Sequence, residues 1–219
     1  MKEITSTSVS QITDLTAKDR EQVNQEISAL LVKKPLSLTI NGKLPLSLTI
    51  NGKLIGPMDV PENMLMIDFL HEYLDLTGTH FGCGQGVCHA CTVVEILPDG
   101  SKEELRTCIY GAHFFAGKNI VTIEGQAIED KNGELQLTPI QQAFIDNFAF
   151  QCGYCAPGFV AGATVFLDKL NREPIKRAHL EQAIEEALDP HICRCTGYVR
   201  YYEAIRDVAL ATPGCVIEE

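Results

Sequence analysis

Two domains of unlike kind, a strand-rich α+β unit followed by an all-α one, are expected from three features of the sequence. Short runs of alternating apolar residues, broken by turn residues, fill the stretch up to about Gly125. Apolar patterns of helical period with short connections fill the stretch after it. Eight of the nine cysteines fall into two groups of four, one group in each stretch.

Residues 1–34 form a polar extension whose Val23, Ile27, Leu30 and Leu31 would share one face of a weak helix. The decamer PLSLTINGKL then occurs twice without change, at Pro35–Leu44 and Pro45–Leu54. Each copy reads as an alternating strand running into an Asn-Gly turn. A repeat architecture needs a longer period and more copies. The second copy, continuous with the rest of the strand-rich domain, is therefore expected to make the structural hairpin, and the first to add a strand or loop. Apolar Leu65, Ile67, Phe69, Leu70, Tyr73 and Leu74 place a short amphipathic helix over Asn63–Leu74. A cysteine loop follows. After it come a strand at Cys91–Leu97, a turn at Pro98-Asp99-Gly100, a return strand at Glu104–Cys108 and a short strand at Asn119–Ile123. Thr138-Pro139 supplies an N-cap and a proline at the first helical position. The helix it opens is followed by three more, at Pro157–Asn171, Lys176–Leu188 and Tyr198–Ala211, which short connections would fold into an antiparallel bundle. The expected domains are 35–126, strands around one helix, and 127–219, four helices.

Hydrophobic residues make up 45% of the 219 and charged residues 21%, the balance of a globular protein. A formal net charge of −11 disfavours nucleic acid and anionic membranes as partners. No apolar run reaches the roughly 18 residues of a transmembrane helix. The N-terminus has neither the apolar core nor the twin arginine of an export signal, which points to the cytoplasm. An odd number of cysteines also suits a reducing compartment, where clustered thiols bind metal or do redox work. The sequence shows no dinucleotide fingerprint, P-loop or nucleophile–base pair, so no catalytic residue is expected in this chain.

Cys83, Cys88 and Cys91 have the spacing C-x4-C-x2-C, and sixteen residues separate Cys91 from Cys108. This is the plant-type [2Fe–2S] spacing. A cluster held by four thiolates is anionic, and burying it is costly unless oriented donors compensate. Gly82, Gly84 and Gly86 would let the backbone wrap closely with its N–H groups turned toward sulfur. A zinc site would favour a second C-x2-C pair, but Cys108 is followed by Ile109, Tyr110 and Gly111, and Cys83 would be left over. His89, adjacent to Cys88, would strain such a site and is expected to be a loop residue, exposed or bonded to backbone. The second group is Cys152, Cys155, Cys193 and Cys195, each pair just ahead of an expected helix. Helix N-termini present unpaired N–H groups and partial positive charge, suited to a second anionic cluster. A redox disulfide in Cys152-Gly-Tyr-Cys155 would belong beside a strand instead. Cys215, after Pro213-Gly214, is expected to be a free thiol in the tail.

The segments TGTHFGCGQGVCHACTV, QCGYCAPGF and HICRCTGY, within a match from about Leu46 to Ala209, resemble the small iron–sulfur subunit of the molybdenum hydroxylases. These are the xanthine oxidase and aldehyde oxidoreductase family. The resemblance implies a plant-ferredoxin-like β-grasp domain followed by an all-α four-helix [2Fe–2S]-binding domain. It implies a relay of single electrons from a molybdopterin cofactor on a large partner subunit. The acceptor would be FAD on a further subunit, or the haem of a cytochrome. The substrate of such a complex would be an aldehyde or an N-heterocycle. The resemblance also places Gln151 and the backbone around Cys195 against the pterin. Two departures stand out: His89 occupies a position where glycine is usual, and Asp189-Pro190-His191-Ile192 replaces the usual Gly-Asn-Leu before the last cysteine pair. The competing readings are a stand-alone two-cluster carrier and a zinc-stabilised interaction module.

Overall fold

Alternating apolar residues build the sheet. In the computed structural model, which describes residues 42–218, β1 (Lys43–Ile50) buries Leu46, Leu48 and Ile50 on one face. The helical patch at Glu21–Leu31 and the first decamer up to residue 41 lie outside the described residues. β2 (Lys53–Pro61) pairs antiparallel with β1 across Asn51-Gly52. These two residues have φ of 51° and 76°, the left-handed backbone that Asn-Gly accommodates in a two-residue hairpin. The second decamer thus makes the hairpin, as expected, and Lys43 and Leu44 of the first copy lengthen its leading strand.

β3 (Thr92–Ile96), β4 (Lys102–Arg106) and β5 (Asn119–Val121) complete a five-stranded sheet of order β2-β1-β5-β3-β4. β1 and β5 run parallel, and the other neighbouring strands are antiparallel. Met66, Phe69 and Leu70 of α1 (Met66–Leu74) join Leu46, Leu48, Ile50, Val93, Phe115 and Ile120 in the core beside this sheet. The helix starts later than apolar spacing suggests because Leu65 is extended and bridges to Gly111.

A short hairpin, β6 (Ile128–Glu129) with β7 (Leu135–Gln136), leads to the helices. α2 (Pro139–Asp146) opens on a reciprocal capping box in which Thr138 and Gln141 satisfy each other's backbone N–H groups. α3 (Ala156–Arg172), α4 (Leu180–Leu188) and α5 (Val199–Ala211) pack with it around a second core that includes Phe144, Phe159, Ile184, Tyr201 and Ile205. α4 is shorter than expected because β8 (Ile175–Lys176) pairs in parallel with β9 (Val216–Ile217). That pairing also corrects the expectation of a thiol in a loose tail. Cys215 is fully buried in the helical core, its Sγ 3.1 Å from Asn171 Oδ1. Among the described residues no helix is long and apolar enough to cross a membrane.

α3 is the element that joins the two cores, packing on β3 and β4 of the sheet. Its glycines permit the approach: a Cβ at Gly158 would fall 2.3 Å from the His89 carbonyl oxygen, and one at Gly162 would fall 2.4 Å from His191 Nε2. Gly158→Ala is therefore expected to destabilise the fold by about 1–3 kcal/mol, because backbone blocks the added methyl. Denaturant melting of the variant beside the parent protein measures the loss, and an unchanged midpoint would contradict the tight packing.

Candidate metal centres

The first thiol group is assembled by the loop after α1 and the β3–β4 hairpin. Cys83 and Cys88 sit in the loop, Cys91 lies just before β3, and Cys108 follows β4. The Cys83 and Cys88 thiols lie close enough to perturb each other's ionisation, and the Cys108 thiol does the same to Cys91. The N–H groups of Gln85 and Val87 point at Cys83 Sγ, at 3.3 and 3.4 Å. Gly84 and Gly86 have φ of 65° and 70°, which turns the intervening amides inward. A Cβ at Gly82 would lie 2.8 Å from Cys88 Sγ.

The electrostatics divide these thiols. Burial pushes Cys83 up, but the backbone N–H groups of Gln85, Cys88 and Val87 outweigh it and bring it down to about 6. Burial pushes Cys91 up to about 12, and the thiols of Cys108 and Cys88 add to the rise. A cation is what makes such buried thiols give up their protons.

The second group forms between the start of α3 and the loop before α5. Cys155 is the N-cap residue of α3, and Cys193 and Cys195 precede α5. Cys152 and Cys195 approach to 3.5 Å between sulfurs, and Cys155 and Cys193 lie close enough to perturb each other's ionisation. Burial raises Cys155 to about 11, with Cys193 adding to it. Cys193 is lowered in spite of its burial, because the Thr196 hydroxyl and N–H bond to it, at 3.1 and 3.5 Å. Tyr201, on α5, brings its hydroxyl to 3.5 Å from Cys155 Sγ, and burial and that thiol raise its own pKa. Neither Thr196 nor Tyr201 stands out in the sequence. Their only signal there is position: one follows the last cysteine, and the other lies on the inner face of the next helix.

Both groups open on one cavity of about 270 Å³, walled by Cys83, Cys88, Cys152, Cys155, Cys193 and Cys195 together with Gly82, Ala90 and Tyr154. Two polar contacts tie its sides together. Tyr154 donates its hydroxyl proton to the Phe81 carbonyl at 2.7 Å, and the Ile192 N–H donates to the Cys88 carbonyl at 3.1 Å. Gln151, Cys152 and Cys195 are exposed, and Phe148, 73% exposed, lies nearby in the chain.

His89 is not the exposed or backbone-bonded loop residue expected. It is buried with φ of 56°, and its ring bonds Glu104 Oε2 through Nδ1 at 3.2 Å and Arg106 Nη1 through Nε2 at 3.3 Å. The left-handed backbone explains why glycine is usual there. With both ring nitrogens engaged, no imidazole competes for the cavity, and the donor set there is thiols alone. Soft thiolates at this spacing, with inward amides and a glycine cradle, fit an iron–sulfide group.

A family model described as "[2Fe-2S] binding domain" matches residues 122–206. Caffeine dehydrogenase subunit gamma of Pseudomonas sp. (strain CBB1) is 36% identical over 188 residues, which cover 84% of this chain and 96% of that protein. The nicotinate dehydrogenase small FeS subunit of Eubacterium barkeri is 35% identical over 144 residues, 66% of this chain and 82% of that one. Among solved structures, quinoline 2-oxidoreductase from Pseudomonas putida 86 has a chain that matches with a TM-score of 0.64 and 31% identity, over 80% of this chain and 94% of its own.

In the iron-free chain, alkylation of Cys83 is expected to quicken with pH and level off above about 6, while Cys91 and Cys155 stay slow until pH nears 12 and 11. Peptide mass spectrometry after a brief iodoacetamide pulse at neutral pH reads the order. Cys83 reacting no faster than Cys91 would remove the amide-stabilised thiolate.

Proposed function

Because the chain belongs to the iron–sulfur subunits of the molybdenum hydroxylases, we propose that Cys83, Cys88, Cys91 and Cys108 hold one [2Fe–2S] cluster and Cys152, Cys155, Cys193 and Cys195 a second. The observation that carries this reading is the convergence of six of the eight thiols, Cys83 and Cys88 from the first group and all four of the second, on one cavity. The chain is an electron-transfer subunit, and the chemistry on substrate takes place on a large molybdopterin-bearing partner. When bound, the clusters supply one-electron carriers whose potentials depend on charge, hydrogen bonds and exposure.

The chain's own residues then have distinct tasks. Amides at Gln85 and Val87 and the Thr196 hydroxyl neutralise thiolate charge. Tyr201 closes the inner side of the second site. Gln151 and the backbone around Cys195, on the exposed side, are the proposed contacts to the partner's pterin. Exposed Phe148, Phe150 and Ile192 supply apolar area for that partner to cover. The two separate cores support the proposed division near residue 126 into a ferredoxin-like and a helical domain. Caffeine, nicotinate and quinoline, for which the relatives are named, are N-heterocycles, and an N-heterocycle or aldehyde is the proposed substrate class of the complex. FAD or a cytochrome haem on a further partner would take the electrons. The cytoplasm suits nine cysteines of which none forms a disulfide.

Electron paramagnetic resonance of the reduced, anaerobically purified complex tests the assignment. Cys155→Ala is expected to abolish one [2Fe–2S] signal and spare the other, and loss of both would contradict separate sites. Gln151→Ala is expected to keep both signals and lower turnover with substrate, so unchanged turnover would end its proposed role. Zinc in place of iron, or a complex lacking molybdenum, would favour the interaction module or the stand-alone carrier.

A further inference from the structure

The two departures from the family's pattern meet in space. His89, in the first cysteine loop, and His191, two residues before Cys193, both bond the carboxylate of Glu104, at 3.2 Å each. Their rings also meet edge to face, with centroids 4.8 Å apart. His191 is 1% exposed and His89 is buried. Glu104 sits on β4, so one carboxylate bridges the sheet, the first cysteine loop and the loop of the second cysteine pair.

We propose that His89, Glu104 and His191 are a clasp of positioning residues that holds the two cluster-binding loops in register, fixing the relation between the two clusters. The clasp transfers no electron or proton and makes no bond; it sets positions. This rests on the assignment of the two clusters.

The direction of each hydrogen bond supports the clasp over a metal held by the same three side chains. Arg106 can only donate, so its contact makes His89 Nε2 an acceptor and leaves the ring proton on Nδ1. Nδ1–H then donates to Glu104, and Nε2–H of His191 donates to the same carboxylate. A metal on Nδ1 would move the proton to Nε2, where it would face the Arg106 donor. A histidine ligand normally offers its second N–H to an acceptor, the opposite arrangement. Although burial opposes it, hydrogen bonds from His191 and His89 hold the Glu104 carboxyl down at about 2, so the bridge is a carboxylate. The space for it is built in, since a Cβ at Gly162 would fall 2.4 Å from His191 Nε2 and 3.1 Å from Glu104 Oε1. The Ile192 N–H bond to the Cys88 carbonyl lies next to His191 in sequence and is the joint the clasp steadies.

The test uses the intact complex with His89→Gly, His191→Leu, the double variant and His191→Gln. Glycine at 89 suits the left-handed backbone, so that variant removes the clasp without straining the loop. Both single variants are expected to retain iron, sulfide and both [2Fe–2S] signals. Their magnetic interaction in the fully reduced protein should change, and amide exchange in the peptide spanning Asp189–Cys195 should quicken by about tenfold, as for loss of a charge-assisted hydrogen bond. The double variant should go no further than the singles, and His191→Gln, which returns an N–H donor, should restore the parent behaviour. An unchanged magnetic interaction in both singles would overturn the clasp, as would effects that simply add. So would stoichiometric zinc in the parent that His191→Leu removes. A parent protein without two [2Fe–2S] signals would instead overturn the cluster assignment and the clasp with it.

Discussion

Thiolate charge cannot be buried without donors aimed at it, and the first cysteine group meets that constraint with backbone while the second adds side-chain hydroxyls. Around Cys83 the donors are N–H groups that reach the sulfur because glycines at 84 and 86 adopt positive φ. Around Cys193 they are the Thr196 N–H and hydroxyl. Among the described residues no lysine or arginine nitrogen hydrogen-bonds to a sulfur of either group. The contrast between Cys83, held near 6, and Cys91, pushed up to about 12, follows first from the deeper burial of Cys91 and then from which sulfur those amides reach. A backbone cradle has an advantage over a lysine, because dipoles stabilise the anion without adding a full charge that must itself be solvated.

The second constraint is distance, and α3 enforces it. Its Cys155 end supplies one site, and its glycine face lies on the backbone of the other site's loop at His89. A side chain on that face would hold the two cores apart. The small residues that let two helices approach in other proteins here let a helix approach a cysteine loop. The same helix that ends in a thiol site therefore also measures the gap to the next one.

Much of this is legible in the sequence. The Asn51-Gly52 turn, the Thr138 capping box and both cysteine groups are local signals, each carried by a few adjacent residues with a strong conformational preference. What escapes is long-range. His89 reads as a loop residue because Glu104 and Arg106, which bury and bond it, stand on a strand whose alternation says only that it is half-buried. Cys215 reads as a tail thiol because the parallel pairing of β8 with β9 involves two residues on each side, too short to leave a pattern. Lys176 reads as helical for the same reason. Tyr201 is visible as an apolar position of α5, but its bond to a thiol depends on how two helices meet.

A histidine at φ of 56° costs roughly 1–2 kcal/mol that a glycine would avoid. A hydrogen bond to a charged group contributes about 1.5–3 kcal/mol, so the contact with Glu104 alone is of the size needed to offset that cost. The offset is available only if Glu104 stays charged in a half-buried place, and that in turn needs the second histidine, at 191, from the other core. The substitutions at 89 and 191 are thus coupled through a residue that belongs to neither loop. A chain that kept one and lost the other would retain a strained backbone or a carboxylate short of a donor, and either would fall on the loops that carry the thiols.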